Sequence, residues 1–239
     1  SCSLVGSEMC IRDRAYYPME QLKMEFSFRT EYTSPNRKMN FSPRLAANYY
    51  WGNMMLSGIV GRYTQLPENS CLVRRPQLMS EVCMQYNLGV QYDYEGRFCK
   101  AELYYKDYDR LALEETDADT KAVFLTSNGY GHSKGIDLFF RDRASFKNLE
   151  YQLSYTYNIA KRKYREYLEL TTPQYATRHN AAWVVKYSLP RLRSIVSVTD
   201  RFSSGRPYHN PMLPGLMNDE VKPLSLIHIS EPTRLQLIS

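Results

Sequence analysis

Strict alternation of apolar and polar residues is the strongest pattern in this chain, and residues 149–158 show it most clearly. One side of this decapeptide carries Leu149, Tyr151, Leu153, Tyr155 and Tyr157, and every residue between them is polar. Because successive side chains of a strand point to opposite faces, the alternation predicts a strand with one apolar face. A tilted strand needs about 9–11 residues to cross a bilayer, so this segment has the length of a membrane-spanning strand.

The same alternation recurs along the chain and predicts about nine strands. They cover approximately residues 21–32, 44–50, 55–65, 84–92, 98–108, 130–141, 149–158, 179–187 and 193–204. Short turns are predicted near residues 52, 95, 145 and 190, and long loops at 67–76, 110–128 and 161–178. Outer-membrane barrels alternate short and long connections in this way. A propeller blade needs four short strands in the same span, and sandwich strands are usually about 5–6 residues long.

These observations predict an all-β fold, an antiparallel up-and-down transmembrane β-barrel of which the chain supplies a part. Eight charged residues share the polar sides of their strands, where a water-filled lumen would accommodate them. They are Lys23, Glu25, Arg29, Lys100, Glu102, Asp137, Arg141 and Glu150. A soluble β-sandwich with the same wet face stays open as the alternative.

The amino-acid composition is compatible with both the barrel and the sandwich, and it is rich in tyrosine. The 239 residues include 21 Tyr against 9 Phe and 2 Trp, and the net charge is +6. A tyrosine has an apolar ring and a polar tip, which suits the boundary between membrane and water. There is no run of about 18 apolar residues, so no transmembrane helix is predicted.

The basic run Lys161-Arg162-Lys163 has the composition of a nucleic-acid or anionic-lipid contact. The sequence contains neither an RNA-recognition signature nor a Cys/His zinc spacing. We therefore interpret the run as part of a solvated loop and predict no nucleic-acid partner.

The two ends do not follow the pattern of the rest. Residues 4–14 read LVGSEMCIRDR and residues 224–234 read LSLIHISEPTR. Codons can be chosen for the first stretch whose reverse complement, in a shifted frame, encodes the second. Both ends therefore resemble translated transposase-type sequencing adapter, which should be excluded from fold reasoning. We predict non-native tails at residues 1–14 and 224–239, and a native segment at 15–223 that belongs to a longer protein.

None of the remaining residues forms a motif that indicates an enzyme. Cys71, Cys83 and Cys99 form no CxxC motif; a bond between Cys71 and Cys83 stays open beside an interpretation as isolated small apolar residues. The glycines of residues 129–135 lack the order of a phosphate-binding loop. We expect no catalytic residues, no metal site and no cofactor.

Two further groups contain residue types that can bind metal ions. The acidic residues Glu114, Glu115, Asp117 and Asp119 could offer oxygen ligands to Ca²⁺ but lack EF-hand spacing, so a solvated loop is expected. The histidines His132, His179 and His209 lie in no known ligand or catalytic motif.

Six short stretches resemble, in the same order, elements of the TonB-dependent outer-membrane receptors, particularly those of the Bacteroidetes type. They are FSPRLA at 41–46, GRYTQLP at 61–67, YNLGVQY at 86–92, AELYYKDY at 101–108, SKGID at 133–137 and SGRPY at 204–208. The resemblance implies a C-terminal segment of a barrel of about 22 strands that encloses an N-terminal plug domain.

The resemblance further implies a receptor in the outer membrane that imports a siderophore, glycan, vitamin or peptide with energy from TonB. Its partners would be membrane lipid, its own plug, the TonB complex and the small-molecule or glycan ligand, with a surface lipoprotein as a further candidate. Ligand contacts are expected in the three long loops, but the sequence identifies no individual ligand-binding residue. A non-transport barrel, such as an adhesin or surface anchor, is the alternative function.

Overall fold

The computed structural model describes residues 7–33, 38–116, 123–192, 194–212 and 216–230, which are almost entirely antiparallel strands. Eleven strands form one sheet in chain order, each paired antiparallel with its neighbours. They are β1 (Ser7–Met19), β2 (Leu22–Thr33), β3 (Lys38–Trp51), β4 (Met54–Gln65), β5 (Glu81–Tyr94), β6 (Arg97–Thr116), β7 (Val123–Asp142), β8 (Leu149–Lys163), β9 (His179–Leu189), β10 (Ser194–Ser203) and β13 (Leu224–Ser230).

The smaller elements lie between these strands. A helix, α1 (Asn69–Arg74), follows β4, and a two-stranded ribbon of β11 (Pro207–Tyr208) and β12 (Asp219–Glu220) follows β10. No helix in the described ranges is long and apolar enough to cross a membrane. The predicted all-β, antiparallel, up-and-down architecture is confirmed, and the nine predicted strands correspond to β2 through β10.

The four predicted short turns are confirmed, and all four lie at the same end of the strands, here called the short-turn edge. Between β5 and β6, Glu95 and Gly96 both have positive φ, at 47° and 81°. Two successive residues with positive φ form a type I′ turn, whose twist matches that of the flanking strands. The opposite edge, which carries the long β4–β5 and β8–β9 connections, is the long-loop edge.

Two of the three long loops were predicted too broadly, whereas the loop predicted at 67–76 spans residues 66–80 and contains α1. The predicted loop at 110–128 is wrong, because β6 continues to Thr116 and β7 begins at Val123; Asp117 and Asp119 lie outside the described residues. The strands extend because Leu111, Leu113 and Leu125 are buried there. The loop predicted at 161–178 begins only at residue 164, because Lys161, Arg162 and Lys163 still belong to β8.

The register gives the sheet one apolar and one polar face. On the apolar face, Leu88, Leu103, Ile136 and Tyr157 are direct neighbours across four strands. Leu88 and Leu103 remain 54% and 53% exposed, which is the pattern of a surface that lipid covers rather than a second sheet. The apolar side of the 149–158 decapeptide belongs to this face.

The polar face carries the charged residues predicted to share it. Glu102 is the register neighbour of Asp137, and Asp137 is the neighbour of Thr156. Lys100 lies 2.7 Å from the Glu102 carboxylate, and Thr156 donates a hydrogen bond of 2.7 Å to Asp137. Charges on this face therefore pair with one another along and across strands, as the sequence predicts for a lumen.

A small hydrophobic core lies at the long-loop edge, beyond the two-faced part of the sheet. Leu72 of α1 packs with Leu78 and Leu125, and Leu66 and Cys71 flank them. Leu113, on the extension of β6, has 0% exposure. This core fixes α1 and the extensions of β6 and β7 as an ordered cap on the sheet.

We expect Leu125→Ala to loosen this cap without unfolding the barrel. Removing a buried leucine side chain typically costs about 2–5 kcal/mol, and here the loss is confined to the long-loop edge. Limited proteolysis should cut the β6–β7 extension faster in the variant. Equal cleavage rates in variant and wild type would contradict the proposed core.

Both predicted tails form strands, and these are the two outermost strands of the sheet. β1 pairs with β2, and β13 pairs with β10. This pairing shows how the two tails are folded. It does not test whether they are non-native, which stays a prediction. The alternation of the two tails nevertheless fits the faces poorly, as the register shows.

In β1, the mismatch begins at the predicted boundary between tail and native segment. Tyr16 is the register neighbour of Met24 on the apolar face, as expected for a native strand. Arg14, one position before the boundary residue Ala15, is the neighbour of Phe26 on the same face. An arginine on the lipid face of a barrel costs about 2–4 kcal/mol near the bilayer midplane.

In β13, the alternation is inverted from its first residue. Leu224 pairs with Ser203 and Leu226 with Arg201, so both leucines lie on the polar face with 68% and 61% exposure. Ser225 instead pairs with Phe202 on the apolar face. Neither terminal strand therefore matches the two-faced pattern that residues 15–223 maintain.

Candidate functional site

Two polar cavities adjoin on the polar face near the long-loop edge, and they share Arg162 and Tyr175. The upper cavity, of about 500 Å³, lies among the loops, and the lower, of about 410 Å³, lies along the strands. The two residues thus stand between the loop region and the interior side of the sheet. We call Arg162, Tyr108 and Tyr175 the arginine–tyrosine cluster.

Arg162 is the centre of the cluster. Its guanidinium carbon lies 4.0 Å from the ring centroid of Tyr108 and 5.8 Å from that of Tyr175. The Nε atom is buried and has no hydrogen-bond partner among the described residues. A buried donor without an acceptor is costly, so the site favours a ligand or water oxygen at this position.

The glycines of β7 make room for this arrangement. Gly131 is the register neighbour of both Tyr108 and Arg162. A Cβ atom at Gly131 would stand 2.8 Å from the Cα and Cγ atoms of Arg162. The glycines at 129–135 therefore allow close packing inside β7.

The β8–β9 connection is folded back over the sheet and held there by backbone bonds. The amide of Arg165 donates to the Ala112 carbonyl, and the Glu114 amide donates to the Arg165 carbonyl, both at 2.7 Å. The amide of Arg162 donates to the Thr171 carbonyl at 2.8 Å. These bonds carry Tyr175 inward to the arginine–tyrosine cluster.

Tyrosines and charged residues line the upper cavity. Arg165 pairs with Glu68 at 2.6 Å across the loops, and burial raises the pKa of Tyr164 to about 12. Burial also raises the pKa of Tyr167. Both phenols therefore stay protonated at neutral pH and remain hydrogen-bond donors.

The lower cavity is built on hydrogen bonds that cross strands. The Tyr104 hydroxyl donates to Asn158 Oδ1 at 3.0 Å, and the Ser133 hydroxyl donates to the same oxygen at 2.9 Å. To reach Asn158, Tyr104 extends across β7 at Gly135. These hydrogen bonds hold the polar side chains that line the lower cavity in fixed positions.

The structure brings together the three loop regions expected to bind ligand. The upper cavity takes residues from the β4–β5 loop, from the extension of β6 and from the β8–β9 loop. The sequence identified none of the cluster residues as a ligand contact, although it contained a signal for Arg162. Every second residue of a strand shares a face, so counting on from Thr156 and Asn158 leads to Ala160 and Arg162. Both lie on the polar face.

Other candidate chemistry receives no support as a site. Among the described residues no group of three or more His, Cys, Asp or Glu could hold a metal ion. Glu114, from the acidic group, pairs with Arg74. Cys71, Cys83 and Cys99 are all free thiols, and His179 shares a hydrogen bond of 2.8 Å with Tyr155.

No protein-family model matches the sequence. No curated protein matches it either. Solved structures, in contrast, match almost the whole chain.

The FrpB iron transporter from Neisseria meningitidis superimposes with a TM-score of 0.75 at 9% identity, over 94% of this chain and 38% of the transporter. The ferric enterobactin receptor PfeA from Pseudomonas aeruginosa gives 0.74 at 10% identity, over 94% and 37%. The siderophore receptor PirA from Acinetobacter baumannii gives 0.69 at 13% identity, over 94% and 39%.

The sheet therefore has the fold of a segment of a transmembrane β-barrel. The matching structures are outer-membrane receptors of the TonB-dependent class, so the predicted resemblance is confirmed at the level of the fold. They are transport receptors, not enzymes. The chain spans less than two fifths of the length of each of them and corresponds to one part of such a barrel.

Proposed function

We propose that residues 15–223 are part of an outer-membrane TonB-dependent receptor that binds a scarce nutrient at the long-loop edge and imports it. The observation that carries this proposal is the arginine–tyrosine cluster between the two polar cavities. In this orientation the long loops face the exterior and the short turns face the periplasm. A ligand captured among the loops meets Arg162 before it enters the lumen.

The chemistry of the cluster favours a ligand with anionic or strongly accepting oxygens. A guanidinium offers planar, paired donors that match carboxylate, phosphate and catecholate oxygens. The tyrosine rings add flat surfaces against which an aromatic or sugar ring can pack. A ferric siderophore combines these features, as the ferric enterobactin of the PfeA receptor illustrates; a glycan, vitamin or peptide satisfies them in part.

The polar face also supports a plug as a partner. Besides Arg162, two other guanidinium Nε atoms on this face, those of Arg44 and Arg141, are buried without a hydrogen-bond partner in the described part of the chain. Carbonyl oxygens of a domain packed inside the barrel would satisfy them. Energy transfer from TonB would then act on that domain and not on this segment.

We further propose that residues 1–14 and 224–239 are foreign to the receptor. The reverse-complement relation of the two ends and the inverted alternation at Arg14 and Leu226 support this independently of each other. The native neighbours of β2 and β10 would then be other strands of the complete barrel.

Recovering the DNA on both sides of the codons for residues 15–223 tests the proposed function and the foreign ends together. We expect the flanking reading frame to differ from both tails. It should encode a plug domain upstream and further alternating strands on both sides. A native gene that contains both tails would refute the foreign ends. A complete gene without a plug would favour the non-transport barrel, the adhesin or surface anchor.

A further inference from the structure

The basic run at the end of β8 is divided between the two faces of the sheet. Arg162 lies on the polar face in the arginine–tyrosine cluster, whereas Lys161 and Lys163 lie on the apolar face. On that face Lys161 is the register neighbour of His132 and Lys163 the neighbour of Tyr130. Lys134, two positions from His132 on β7, completes a group of three lysines on adjacent strands, here called the lysine group.

The three lysines of the group outnumber the two acids beside them on the same face, Asp107 and Asp109. None of the three lysines forms an ion pair within the described ranges, although nine ion pairs occur elsewhere in those ranges. Of the nearby acids on the apolar face, Asp109 lies 3.6 Å from Arg110, and Asp107 lies opposite His132. The local charge is therefore positive, on a face that is otherwise apolar.

An apolar groove leads to the lysine group. It has a volume of about 850 Å³, and its walls include Ala47, Leu88, Leu103 and Ile136. Lys134 closes the groove at the long-loop edge. On the same face of β8, the apolar residues Tyr157 and Ile159 are followed by Lys161. The change from apolar to basic side chains therefore lies at a similar position along β7 and β8.

We propose that this face binds an anionic lipid of the outer leaflet, with an acyl chain in the groove and a phosphate at the lysine group. Each buried CH₂ of an acyl chain contributes about 0.8 kcal/mol, and unpaired lysines near a membrane surface attract phosphate headgroups. Charge complementarity selects a phosphorylated lipid over a zwitterionic one. The proposal rests on the membrane placement of the proposed function, but not on the nutrient or its import.

The test uses the complete receptor that carries residues 15–223, purified in detergent, with lipid retention measured by native mass spectrometry. The probes are bisphosphorylated lipid A, phosphatidylcholine and inorganic phosphate. We expect tight retention of lipid A, weak retention of phosphatidylcholine and no displacement of lipid A by millimolar phosphate. Equal retention of the two lipids, or displacement by phosphate, would overturn the proposal.

Two sets of variants localise the site. The triple variant Lys134→Gln, Lys161→Gln and Lys163→Gln should weaken lipid A binding about 100-fold, at about fivefold for each lysine near the surface. Ala47→Trp, which fills the groove without changing charge, should weaken lipid A and phosphatidylcholine alike. The single variant Lys134→Gln, with an expected loss of about fivefold, gives the same information where the triple variant does not fold.

The control changes the same number of charges away from the lysine group. Lys23→Gln, Lys147→Gln and Lys186→Gln together should leave lipid A retention within about twofold, since they lie on the polar face or at the short-turn edge. A loss equal to that of the lysine-group variant would show that net charge alone is responsible. Unchanged nutrient import in the lysine-group variant would separate this site from the proposed transport site.

Discussion

Gly135→Val is expected to abolish assembly of the barrel. A Cβ atom at Gly135 would stand 2.7 Å from Cζ of Tyr104 and would also overlap the backbone carbonyl oxygen of Tyr157. The backbone of β8 cannot move away without breaking its pairing with β7, so the penalty should reach about 4 kcal/mol or more. Because whole proteins are stable by only about 5–15 kcal/mol, little folded barrel should remain.

Gly58→Val supplies the matched control for this substitution. Gly58 also lies within a strand of the sheet, but a Cβ atom there would meet nothing within 4 Å. The added side chain would project from the apolar face toward lipid, where valine is favourable. Urea unfolding of the complete receptor in lipid vesicles, followed by tryptophan fluorescence, should separate the two variants. Equal stability of both would contradict the packing of Tyr104 over Gly135.

Arg162→Ala is expected to weaken nutrient binding by about 10- to 100-fold, the range for losing hydrogen bonds to a charged group. Arg162→Lys keeps the charge but not the planar pair of donors, so it should recover only part of the affinity. Calorimetry on the complete receptor, with a ferric siderophore, an oligosaccharide, a vitamin and a peptide as probes, measures both effects. The largest loss should occur for the most anionic probe.

Arg191→Ala serves as the control for charge and residue type. Arg191 is exposed at the short-turn edge, between β9 and β10, and far along the strands from either polar cavity. Its removal should leave nutrient affinity unchanged. If Arg162→Ala also left the affinity unchanged for every probe that binds, the ligand would not pass the arginine–tyrosine cluster and the proposed site would be wrong.

The strands could be predicted from the sequence because their alternation is a local property. Each residue of the 149–158 decapeptide has its face fixed by its position in the strand, and the register confirms the charged residues that were expected to share a side. The turn at Glu95 and Gly96 could be predicted for the same reason, since four consecutive residues define it. Resemblance in six short stretches then indicated the fold that the solved structures match.

The extensions of β6 and β7 and the helix α1 could not be predicted from alternation. Leu111, Leu113 and Leu125 lie in a segment with many charges, and Leu125 is buried against Leu72 and Leu78 from a different loop. Only the folded chain brings these residues together. A local pattern therefore assigned them to loops, although the apolar triplet at 111–113 was a weak signal.

The sequence alone determined the strand order, the two faces and the receptor-like fold, because period-two alternation and short turns act between near neighbours. The tertiary structure decided the site. Alternation along β8 already divides the basic run between the two faces, but only the folded chain brings Tyr108 of β6 and Tyr175 of the β8–β9 loop to Arg162. The physical reason is that the β8–β9 loop folds back through backbone bonds to β6 and β8, and such long-range pairing leaves no trace in a local pattern.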